Sequence, residues 1–93
     1  MKTLKEAIKE SDTVFVDVRT KPEFNSGHIP GAKNIPLDEL MSRLDELEDI
    51  NGPLVLYCRS GNRSGMALHM LREAGWDNLY NGGSIEDVKY LLN

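Results

Sequence analysis

One cysteine, two arginines and two serines crowd into seven consecutive positions, Cys58-Arg59-Ser60-Gly61-Asn62-Arg63-Ser64. A thiol is an effective nucleophile as its thiolate, which forms near neutral pH where cations, hydrogen-bond donors or a helix N-terminus favour the anion. Ahead of the stretch, Leu54-Val55-Leu56-Tyr57 is an unbroken apolar run suited to a buried strand; behind it, Ala67, Met70, Leu71 and Ala74 fall on one helical face. The spacing predicts strand, short loop and helix, with Cys58 at the strand's C-terminal end and in an exposed loop position. Unpartnered N–H groups and the dipole at the helix start favour an anion there, and Arg59 and Arg63 supply two cations. Gly61 can take positive φ and Asn62 tolerates it, so the loop can curl with its N–H groups inward. The predicted outcome is a reactive thiolate; the alternative is a small buried apolar residue, the usual state of a lone cysteine.

The rest of the chain supplies a frame. Thr3-Leu4-Lys5-Glu6 has the form of a capping box opening a short helix. Thr13 to Val18 reads as a central strand covered on both faces, ending in Asp17 and Arg19. Ligands collect at the carboxyl edge of open α/β sheets, so Asp17 and Arg19 are supporting candidates that could approach the Cys58 loop; the competing reading is a structural ion pair of Arg19 with Asp17 or Glu23. Lys21 to His28 predicts a short helix or turn opened by Pro22, with His28 as a hydrogen-bonded loop anchor rather than an acid or base. Lys33 to Ile35 predicts a short strand. Leu40, Met41, Leu44 and Leu47 predict an amphipathic helix from Asp38, its acidic face solvated. Gly75 fits the residue after a helix end, Trp76, Leu79 and Tyr80 a last edge strand, and Ser84 the cap of a last helix turning Ile85, Val88, Leu91 and Leu92 inward. Strands alternating with helices give an α/β fold with a mainly parallel sheet and helices on both faces.

The totals narrow the function classes. A chain of 93 residues predicts one domain over 1–93. A formal net charge of −4 argues against a general nucleic-acid binder, so any anion site must be local. A single cysteine can form no internal disulfide and has no resolving partner, which excludes a Cys-x-x-Cys mechanism and predicts an external acceptor for anything carried on Cys58. His28, His69 and Cys58 have no zinc spacing, so no metal is expected. No apolar run approaches the ~20 residues of a membrane span, nor does the N-terminus resemble a secretion signal; the expectation is a cytoplasmic protein without membrane partners.

The Cys58 to Ser64 segment resembles the active-site loop of single-domain rhodanese-type sulfurtransferases, with a cysteine, four residues, then an arginine. Three further segments match that family in order: Val14-Phe15-Val16-Asp17-Val18-Arg19, Glu23-Phe24 followed by Gly27-His28-Ile29-Pro30-Gly31-Ala32, and Tyr80-Asn81-Gly82-Gly83. The tryptophan that often follows the Gly-Gly pair is missing between Ser84 and Val88. The resemblance implies a rhodanese-like domain and cofactor-free sulfur transfer through a persulfide on Cys58. Thiosulfate or another small sulfane-sulfur donor would be the donor, and a thiol, or cyanide in the test tube, the acceptor. The loop from Arg59, Ser60 and Gly61 through Asn62, Arg63 and Ser64 would bind the donor and stabilise the persulfide. Two rivals share the same cysteine: a module relaying persulfide sulfur between protein partners, and a rhodanese-fold phosphatase or arsenate reductase. The latter carry five residues between cysteine and arginine, whereas four separate Cys58 from Arg63.

Overall fold

The computed structural model describes residues 2–93; Met1, the first residue of the expected domain span, lies outside them. Among the described residues four parallel strands form one sheet in the order β2-β1-β3-β4. They are β1 (Val14–Asp17), β2 (Lys33–Asn34), β3 (Leu54–Cys58) and β4 (Leu79–Ser84), with helices α1 (Leu4–Ala7), α2 (Lys21–Asn25), α3 (Asn62–Glu73) and α4 (Ile85–Leu92) between and around them.

Every residue of β3 is buried, because this strand lies between β1 and β4 and is covered on both faces. Alternation along a strand sends successive side chains to opposite sides. Leu54, Leu56 and Cys58 join Val16, Val18, Ala67 and Leu71 in the core under α3, while Tyr57 packs with Ile29, Ile85 and Val88 under α4. The loops after the strands therefore meet at one carboxyl edge.

Helix ends follow local chemistry. Thr3 forms the expected capping box with Glu6, and Ser84, expected as a cap, forms a second with Asp87 as reciprocal partner; a third, Thr20 with Glu23, opens α2. Gly75 ends α3 at φ +101°, and the Trp76 amide donates to the Leu71 carbonyl at 3.0 Å in a Schellman closure. In β4, a Cβ on Gly82 would lie 2.8 Å from Val88 Cγ2 and 3.0 Å from Val55 Cγ1, so glycine permits α4 to close on β3.

Three expectations change. The amphipathic helix from Asp38 is instead two 3-10 turns, Leu37–Ser42 and Leu44–Leu47, divided at Arg43. Side chains three apart eclipse in a 3-10 turn, so Leu37 with Leu40 and Leu44 with Leu47 each face the core as a pair; Met41 is left 50% exposed. Arg43 clasps Glu39 at 3.0 Å and Glu46 at 2.5 Å across the break. Leu92, expected to face inward, is exposed, as is Ala74, placed on the apolar face of the third helix by its spacing. Trp76 precedes β4 rather than joining it.

Candidate active site

The Cys58 loop joins the end of β3 to the start of α3. Gly61, at φ +96°, occupies the N-cap position, and Asn62 begins the helix with ordinary right-handed geometry, so glycine alone makes the turn that both residues could have made. A Cβ on Gly61 would lie 3.4 Å from Gly83 Cα, where the two backbones pass. The turn aims amides at the sulfur: Gly61 N–H donates to Cys58 Sγ at 3.0 Å and Ser64 N–H at 3.4 Å, with Ser64 Oγ 3.5 Å away.

Cys58 itself has no exposed surface, contrary to the exposed position expected. It ends a central strand, and its flank packs in the apolar core while its sulfur meets the donors. Burial pushes the thiol up, but hydrogen bonds to the sulfur outweigh it, from the Ser64 hydroxyl when it is turned to donate there and from the amides of Ser64, Ser60 and Gly61, and leave the group more acidic than an ordinary cysteine. The loop amides thus carry the task that the sequence divides between them and the two arginines.

Arg63 faces elsewhere. Its guanidinium forms a forked pair with Glu23 from α2, at 2.7 and 3.0 Å, and this pair with the Thr20 cap holds the Glu23 carboxyl down at about 2. One carboxylate thus closes the capping box of α2 and anchors the first turn of α3. The sequence pairing of Glu23 with Arg19 is corrected by this contact. Arg59 and Ser60 are exposed, and Arg59 makes no side-chain hydrogen bond or ion pair among the described residues.

Asp17 and Arg19 form the structural ion pair. Arg19 Nη2 donates to Asp17 Oδ2 at 2.7 Å and to the Gly27 carbonyl at 2.6 Å, and the guanidinium carbon lies 5.9 Å from the centre of the Tyr57 ring. Asp17 is paired in register with Tyr57, on the opposite side of the sheet from the cysteine, and neither Asp17 nor Arg19 hydrogen-bonds to residues 58–64. The pair fastens the Gly27 turn to β1 instead of joining the Cys58 loop. His28 stacks on Phe24, ring centres 3.7 Å apart, with Nδ1 2.9 Å from the Phe24 carbonyl oxygen. His69 is exposed on α3, beside Glu73.

Two contacts were missed in the sequence. Asn81 of β4 accepts a hydrogen bond from Ser64 Oγ at 2.7 Å and another from Gly83 N–H at 2.9 Å. Its only signal was its position in the Tyr80-Asn81-Gly82-Gly83 segment. The Thr20 capping box was legible as Thr-x-x-Glu, but its Glu23 reaching Arg63, forty positions away, was not. Among the described residues no cluster of three His, Cys, Asp or Glu side chains could hold a metal, and no helix is long and apolar enough to cross a membrane.

Comparison with known proteins agrees with this geometry. The chain is 46% identical over 67 residues to the uncharacterized protein YqhL of Bacillus subtilis, covering 72% of this chain and 52% of that one, so it spans about half the length of that relative. It is 35% identical over 75 residues to the thiosulfate sulfurtransferase PspE of Escherichia coli, covering 80% of this chain and 72% of PspE. A solved rhodanese from E. coli, described with anions, superposes with a TM-score of 0.74 at 34% identity, over 81% of this chain and 89% of that one. The model of the rhodanese-like domain matches residues 1–89, and with the parallel sheet and cysteine loop in place the chain belongs to the rhodanese-like domain family.

Proposed function

We propose that this protein transfers a sulfane sulfur through a persulfide on Cys58. The observation that carries the reading is the sulfur's placement under inward-aimed amides, Gly61 N–H at 3.0 Å and Ser64 N–H at 3.4 Å. In the first step the Cys58 thiolate attacks the outer sulfur of thiosulfate. A new S–S bond forms, the sulfur–sulfur bond of thiosulfate breaks, and sulfite leaves with the electron pair. Preorganised donors are most effective where charge develops, and the loop N–H groups suit both the thiolate and the anionic outer sulfur of a persulfide. In the second step a thiol, or cyanide in vitro, attacks that outer sulfur, and Cys58 leaves as thiolate. No cofactor takes part, and a cytoplasmic setting suits the unpaired cysteine.

Arg59 is the cation available to orient the sulfonate end of thiosulfate, since Arg63 is engaged by Glu23. With one guanidinium where two were expected, and with Cys58 closed beneath its loop, a persulfide donated by a partner protein is the second reading. Similarity to PspE supports thiosulfate as donor.

Intact-mass measurement decides the chemistry. Thiosulfate is expected to add one sulfur atom, and cyanide to remove it; an unchanged mass with both thiosulfate and a protein persulfide donor would overturn the proposal. Loading from the protein donor alone selects the relay reading. Hydrolysis of an aryl phosphate that disappears in Cys58→Ser would instead select the phosphatase class.

A further inference from the structure

The hydroxyl of Ser64 is fully buried and has three neighbours. It lies 3.5 Å from Cys58 Sγ, 2.7 Å from Asn81 Oδ1 and 3.1 Å from the Gly61 carbonyl oxygen. A serine hydroxyl has one proton to donate, and the two oxygens can only accept it. The orientation of the Asn81 amide is set independently: Gly83 N–H can only donate, and it points at the same oxygen, Oδ1, at 2.9 Å. With Oδ1 so placed, the Ser64 proton goes to Asn81, and a lone pair of Ser64 Oγ is turned to the sulfur. In that arrangement the Cys58 thiol donates to Ser64, the pattern that favours the neutral S–H form. For the hydroxyl to support the thiolate it must rotate and give up its 2.7 Å partner.

We infer that Asn81 is a positioning residue that sets the acidity of Cys58 by holding the Ser64 proton away from the sulfur. Its effect opposes that of the Gly61 and Ser64 amides. The chemical sense lies in the two demands on one sulfur. An attacking thiol loses intrinsic nucleophilicity as its pKa falls, whereas a low-pKa thiol leaves more readily. The amides favour departure, and Asn81 keeps the sulfur nucleophilic enough to attack. The biological meaning rests on the proposed sulfur transfer; the acidity itself does not.

Other charges surround the loop. Arg63 and Glu23 lie on the α3 and α2 side, Asp17 and Arg19 at the end of β1, exposed Arg59 within the loop, and Asp87 on α4 caps the Ser84 amide beside Gly83. All of them remain in the variants that test Asn81, so their fields cancel in the comparison.

The test is the pH dependence of Cys58 alkylation by iodoacetamide on the intact chain, which needs no sulfur donor and so stands apart from the test of sulfur transfer. Asn81→Ala should move the midpoint down by about half to one pH unit, the worth of one neutral hydrogen bond. The same substitution made together with Ser64→Ala should produce no shift relative to Ser64→Ala alone. Asn81→Asp keeps an oxygen acceptor for Ser64 and Gly83, and should raise the midpoint more with Ser64 present than with Ser64→Ala. This variant decides the matter should Asn81→Ala fail to fold. An unchanged or raised midpoint in Asn81→Ala, a shift that persists without Ser64, or an Asn81→Asp effect indifferent to Ser64 would each overturn the inference.

Discussion

Tyr57 and Cys58 are neighbours in one strand, both without solvent exposure, yet their acidic groups are driven in opposite directions. Burial raises the Tyr57 phenol far above its ordinary range, and the Asp17 carboxylate beside it adds to the rise, against the Ile29 amide that donates to its oxygen at 3.0 Å. Burial acts on Cys58 in the same sense and is overcome, because the cysteine is the last strand residue and its sulfur looks into the amide-rich turn of Gly61. Depth in the fold therefore does not decide which group ionises. The decision belongs to what each face of the sheet presents: donors on the α3 side, a carboxylate and an aromatic-stacked guanidinium on the other.

The sulfur is the most direct place to test this contrast between the two faces. Cys58→Ala should retain the circular-dichroism spectrum of the fold while losing all mass gain from thiosulfate, because no second thiol exists to carry sulfur. Retained loading would contradict the assignment. On the other face, Tyr57→Phe leaves the buried Ile29 amide without its acceptor, and should cost about 1–3 kcal/mol in chemical unfolding. The alkylation midpoint of Cys58 should not move, and a shift there would show that the two faces are coupled.

Gly61→Ala acts on the turn. A side chain at φ +96° is expected to cost about 1–2 kcal/mol, and displacement of the Gly61 amide from the sulfur should raise the alkylation midpoint. Stability lost without a change in the midpoint would mean that the amide contributes little to the thiolate. The smallest effect is expected at Glu23→Gln. Releasing Arg63 should lower KM for thiosulfate by about two- to five-fold, the size of one partly exposed ion pair, with little effect on a neutral donor. The same pair has a pH signature. Glu23 is held near 2 in the folded chain against an ordinary value of 4.5, so its contribution to stability is full above the unfolded value and is lost as pH falls through the interval down to about 2. The wild-type advantage over Glu23→Gln in unfolding should shrink across that interval; a constant difference would refute the ion pair's role.

Much of this arrangement is legible in the sequence itself. The Leu54–Tyr57 run, the glycine in the loop and the helical spacing after it put Cys58 at a strand end below a helix start, since strand burial and helix capping depend on neighbours in sequence. The segment after Asp38 was misread because leucines at 40, 44 and 47 satisfy an α-helical repeat as well as they satisfy two 3-10 turns. Only packing against the sheet distinguished them, by burying Leu37 with Leu40 and Leu44 with Leu47 on either side of Arg43.

Local sequence determined the α/β frame, its capping boxes and the position of the single thiol, because each depends on residue spacings of a few positions. Which charges serve that thiol was decided by tertiary structure alone. Arg63 lies five positions from Cys58 but turns to Glu23, forty positions away, while Asn81 arrives from the adjacent strand to hold Ser64. Charges and hydrogen-bond donors act through distance in space, and that distance exists only once β1, β3 and β4 have brought their carboxyl ends to one edge.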